Sequence, residues 1–66
     1  MITVFDVIYR CKDSMMIRIY NDKRVIYSGD VYTYRVSRVP YRALSSEVIS
    51  IDILPDLHAP ILLIKV

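Results

Sequence analysis

Cys11 is the only cysteine in this chain and His58 the only histidine. Those two facts constrain the fold more than any motif does. No intrachain disulfide can close, and a zinc site needs about four N or S ligands where this chain offers two. The chain has 66 residues, enough for one domain, 1–66. A domain of that size buries only ~60% of the surface its unfolded chain exposes. Without a covalent or metal staple, its stability must come from a well-filled core, from self-association, or from both. The apolar content of 55% is high for so small an interior, which directs some of that surface toward another chain. A homodimer or higher homo-oligomer is expected.

Richness in Ile, Val and Tyr excludes a disordered chain. The longest unbroken aliphatic run is Ile61 to Ile64, far too short to span a membrane. Asp6 interrupts the first apolar run and no basic segment precedes it, so no secretory leader is expected. A free cysteine without an export signal fits a reducing cytoplasm. The net charge of +2 is too mild to demand a nucleic-acid partner.

Thr3 and Asp6 stand at capping-box spacing. Val4, Ile8, Cys11 and Met15 then follow as one helical stripe, so a short helix is expected from Val4 to Lys12, against the strand preference of its β-branched residues. "MMIRIYNDKRVIYSG" reads as a hairpin turning at Asn21 and Asp22, with Ile17 and Ile19 on one side and Arg18 and Tyr20 on the other. "EVISIDIL" is the clearest strand: Ile49, Ile51 and Ile53 share one face, Ser50 and Asp52 the other. "PDLHAP" is a loop bracketed by prolines, and "ILLIKV" a last strand, apolar on both faces. That strand either lies in a partly closed sheet or packs its second face on tyrosines or on another subunit.

The expected fold is α+β: a short N-terminal helix packed on an antiparallel sheet of four strands. "VYTYRV", Val31 to Val36, alternates as a candidate fifth strand, and strand or irregular structure both stay open for it. "PYRALSS" reads as one turn of helix with Pro40 in first position.

Catalytic signatures are missing. One glycine, Gly29, rules out a phosphate-binding loop. His58 with Asp52 or Asp56 and a serine makes a triad only on paper, since no nucleophile elbow exists. Cys11 has Arg10 and Lys12 as neighbours, but its place on the apolar stripe marks a buried, inert thiol. The aspartates have no paired spacing. No enzyme, metal or cofactor is expected.

What stands out is "VYTYRVSRVPYRAL", Val31 to Leu44, with three arginines, three tyrosines and no acid. Arginine grips phosphate bidentately and tyrosine stacks on bases. Tyr34, Arg35, Arg38, Tyr41 and Arg42 are therefore the candidate ligand- or partner-binding residues, with Arg18 and Arg24 as neighbouring charge. The plain alternative is that tyrosine is a good half-buried strand former with arginine as its solvent-side neighbour. The sequence leaves both open.

With "TVFDVI", "IRIYNDKRVIYSGDV", "PYRALSSEV", "VISIDI" and a closing apolar strand in that order, the chain resembles a loose group of small proteins encoded by phages and prophages of Gram-positive bacteria. It departs from that pattern in the basic-aromatic insert between Gly29 and Pro40. The resemblance carries over no functional residues. It implies a phage accessory protein in the host cytoplasm that acts by binding and antagonises bacterial immunity. In its sharper form, a homo-oligomer sequesters a nucleotide-type immune signal, Arg35, Arg38 and Arg42 holding phosphates and Tyr34 or Tyr41 stacking on the base. The alternatives are a protein-binding inhibitor of a host defence effector, similar in role to an anti-CRISPR, and, less favoured, a nucleic-acid-binding module.

Overall fold

The computed structural model describes residues 1–36, 45–55 and 58–66. Its elements run α1 (Val4–Tyr9), β1 (Met16–Tyr20), β2 (Val25–Asp30), α2 (Val31–Val36), β3 (Ser50–Leu54) and β4 (Ile61–Lys65). The four strands form one sheet in the order β2-β1-β4-β3. The fold is α+β, with the expected N-terminal helix and four strands.

Local chemistry sets the ends of these elements. Thr3 caps α1: its hydroxyl accepts from the Asp6 N–H at 3.3 Å, and the Asp6 carboxylate accepts from the Thr3 N–H at 2.9 Å. The helix stops at Tyr9, with Arg10 as its C-cap, short of the expected Lys12. The stripe is nevertheless the expected one, with Val4 and Ile8 buried and Cys11 and Met15 packed against the core. In the β1–β2 turn the Asn21 side chain accepts from the N–H groups of Lys23 and Arg24, both at 2.8 Å. That is the local bonding that makes asparagine a turn residue.

Two expectations are corrected. The sheet is mixed: β1 pairs antiparallel with β2 and β3 with β4, but β1 and β4 run parallel. The reason lies in "ILLIK", which is apolar on both faces and fits a strand with neighbours on both edges. β4 takes that central place, and the connection from β2 to β3 crosses the sheet to bring it there. The second correction is Val31–Val36, which is helix and not a fifth strand. Val31 and Tyr34, three residues apart, are buried together, while Tyr32, Thr33, Arg35 and Val36 face out. Burial at helical spacing overrides the strand propensity of "VYTYRV". The turn expected at Pro40 lies outside the described residues.

The core sits on one sheet face. Ile17, Ile19 and Ile64 are fully buried, with Leu62 beside them, under Val4 and Ile8 of α1 and Val31 and Tyr34 of α2. Each fully buried isoleucine contributes about 1.5–3 kcal/mol relative to exposure. The segment between α1 and β1 also completes the backbone bonding of α2. The first N–H groups of α2, those of Val31 and Tyr32, donate to the carbonyls of Met15 and Asp13 at 2.9 and 3.0 Å. The N-terminal segment is tied to the approach to β3, Val4 N–H donating to Ser46 at 3.0 Å and Val48 N–H to Ile2 at 2.8 Å.

The helices do not reach across the whole sheet. Ile51 and Ile53 lie opposite Ile64 and Leu62 in the β3–β4 register, so they share the core face. Yet every residue of β3 is exposed, Ile51 by 47% and Ile53 by 60%.

Candidate functional site

The structure separates the residues singled out in the sequence. Tyr34 is 2% exposed and packs edge-on against Tyr27, ring centroids 4.9 Å apart at 67°. Burial pushes its phenol above the ordinary tyrosine value. Its ring is core material, so the stacking role expected of Tyr34 has no open face to work from. Arg35 is spent on α1: it pairs with Asp13 and donates to the carbonyls of Ile8 and Cys11 at 2.9 and 3.0 Å. The Ile8 carbonyl lies in the last turn of α1, where it also accepts from the Cys11 N–H at 3.1 Å, and the Cys11 carbonyl lies just past the C-cap. Arg35 is thus a helix C-terminal clamp and not an outward phosphate grip. Arg38, Tyr41 and Arg42 lie outside the described residues. The signal for the clamp was in the sequence only as an acid, Asp13, far from its partner.

Two surfaces that the sequence did not single out are better formed. The first lies between α1 and β3. A groove of about 500 Å³ is lined by Ile2, Val7, Cys11, Ile51 and Leu62, with Asp6 and Arg10 as its charged members. Beside it Ile53 of β3 is 60% exposed, and Ile49, just before the strand, 67%. Cys11 adds an apolar wall and no chemistry: burial pushes its thiol up, and its sulfur rests on the Val7 carbonyl at 3.2 Å. A protonated, partly covered thiol is a poor nucleophile.

The second surface is a dish of about 400 Å³ at the β1–β2 turn, where Arg18, Lys23 and Arg24 stand around Tyr20 and Leu63. Asp22 also lines it, but its carboxylate is taken by Lys65 at 2.9 Å. Among the described residues no acid pairs with Arg18, Lys23 or Arg24. The neighbouring charge expected of Arg18 and Arg24 therefore gathers on the face of the sheet opposite the helices, away from Arg35.

Among the described residues no group of three or more His, Cys, Asp or Glu side chains converges as metal ligands would. No described helix is long and apolar enough to cross a membrane. Comparison with known proteins gave no match: no family model fits the sequence, and no curated protein or solved structure is similar to the chain.

Proposed function

We propose that this chain is a non-enzymatic binding protein that docks on another polypeptide through the α1/β3 groove and the isoleucine strip beside it. One observation carries the reading. Ile51 and Ile53 of β3 extend the core row of the sheet past α1 and into solvent, and Ile49, just before the strand, is exposed as well. An alternating row of exposed isoleucines next to a groove is a floor for a partner's apolar side chains. The nucleotide-sequestering reading is weaker, because Tyr34 is buried and Arg35 is engaged. In the setting that the phage resemblance implies, the partner is a defence effector of the bacterial host, met in the cytoplasm.

The test is recovery of a stoichiometric host protein on the tagged chain, compared with Ile2→Glu and Ile53→Lys. Both positions are exposed, so neither change unfolds the domain. Retention by the parent chain and loss by both variants supports docking. No retained protein, or retention indifferent to both changes, overturns it.

A second reading has its own observation: three cations that have no acid partner among the described residues surround Tyr20 in the turn dish. Arginine there can take a phosphate and Tyr20 can stack. Calorimetry with cyclic oligonucleotides and NAD-derived signals decides it. Heat that disappears in Arg18→Ala shifts the function to this dish; no heat with any of them removes it.

A further inference from the structure

β3 is an edge strand with a self-complementary sequence, and we infer that it pairs antiparallel with β3 of a second copy about a two-fold axis at Ile51. In an antiparallel pair, residues directly opposite share a face. An axis at Ile51 sets Ile51 against Ile51 on the core face, with Ile53 facing Ile49, the residue just before the strand. On the other face it sets Ser50 against Asp52. Apolar meets apolar, and each carboxylate meets a hydroxyl.

Every neighbouring register is worse. An axis at Asp52 puts two carboxylates face to face, which is destabilising. An axis at Ser50 sets Asp52 against Val48 and Ile53 against Glu47. An axis at Ile53 sets Ile51 against Pro55, which has no N–H for the ladder. An axis between residues sets the isoleucine face against Ser50 and Asp52.

The backbone agrees with this choice. The Ile53 N–H is held by the neighbouring Asp52 carboxylate at 2.8 Å, which marks it as an amide of the free edge. The Ile51 N–H, two residues away, points to the same side. The Ile49 N–H is already bonded to the Lys65 carbonyl at 2.7 Å, which turns Ile49 toward β4, so the ladder rests on the reciprocal pair of Ile51 residues. Pairing joins each Ile51 N–H to the Ile51 carbonyl of the other copy and leaves the Asp52 carboxylate beside the Ser50 hydroxyl.

The result is a continuous eight-stranded sheet, β2-β1-β4-β3 joined to its copy. It would remove the exposed edge that otherwise invites nonspecific pairing. It also supplies the second subunit that a domain of 66 residues without a staple calls for. The inference stands apart from docking: the dimer uses the edge of β3, whereas docking uses its face. The two α1/β3 grooves would then flank one isoleucine floor.

The experiment uses the purified chain alone, so its failure leaves the docking reading untouched. Sedimentation equilibrium is expected to give twice the chain's mass. In a Cys11→Ser background, Ile51→Cys is expected to form a disulfide-linked dimer on mild oxidation, since directly opposed Cα atoms lie about 5.5 Å apart, within disulfide range. Asp52→Cys, displaced from its own copy along the strand, is expected to stay largely unlinked. A monomer at high micromolar concentration overturns the inference. So does a dimer in which Ile51→Cys fails to link, or in which Asp52→Cys links as readily, because either result places the contact elsewhere.

Discussion

Arg35 pairs with Asp13 across 22 residues of sequence, and in doing so ties α2 to the end of α1. The pair itself is half exposed, with side-chain exposures of 39% and 56%, so the ion pair alone contributes at most about 1 kcal/mol. More comes from the bonds to the Ile8 and Cys11 carbonyls. Arg35→Ala is expected to lower stability by about 1–3 kcal/mol, read from the urea midpoint. Arg35→Lys recovers only part, because an ammonium lacks the planar fork. An unchanged midpoint would return Arg35 to the list of free ligand-binding residues.

Tyr34→Ala is expected to cost about 3–5 kcal/mol, the range for removing a buried aromatic ring. In a domain this small that is most of the stability. Circular dichroism should show a chain largely unfolded near room temperature. A stable, folded Tyr34→Ala variant would contradict the burial of this ring.

Gly29 is bound to its place by Tyr27. A Cβ at Gly29 would sit 2.7 Å from the Tyr27 hydroxyl oxygen. That hydroxyl donates to the Asp30 carbonyl at 2.7 Å, and the ring packs on Tyr34. Gly29→Ala must therefore swing the Tyr27 ring away. The expected loss is about 1–3 kcal/mol, with a changed near-UV signal from the two tyrosines.

The Thr3 cap gives stability a pH dependence. The Thr3 N–H, and then its hydroxyl, hold the Asp6 carboxyl below its ordinary value. A carboxyl lowered by folding contributes stability that is fully present above its unfolded pKa of about 3.9. That contribution is lost as pH falls through the lower, folded value. Thr3→Ala should cost about 1 kcal/mol at neutral pH and flatten the acid limb of a melting-temperature profile. The same acid slope in both proteins would show that Asp6 gains nothing from the Thr3 hydroxyl, the backbone N–H bond being kept in both.

Legibility in the sequence followed the range of the interaction. Thr3 and Asp6, the Val4–Ile8 stripe and the Asn21 turn act over a few residues, and each was readable where it stands. The apolar run of β4 was readable too, but not its direction, because the partner that sets it is β1, its neighbour in the sheet but far from it in the sequence. "VYTYRV" misled because its alternation and its i, i+3 pair coexist, and only the core decides between them. The same holds for the site. Arg35 looked free until Asp13 and the end of α1 came to meet it, and the isoleucines of β3 looked like ordinary core until α1 proved too short to cover them.

The parallel contact between β1 and β4 divides the molecule into two zippered halves. Each half closes over a short turn, but the seam between them closes over the whole middle of the chain. Loop-closure entropy is thus concentrated in one late event. Until β4 docks, Ile17 and Ile19 have no neighbour on that side and Leu62 and Ile64 none on theirs. The seam therefore sets the speed of folding. It also lies under the fully buried Ile17, Ile19 and Ile64, so it is the last line along which the sheet would part, after the exposed β3 has let go.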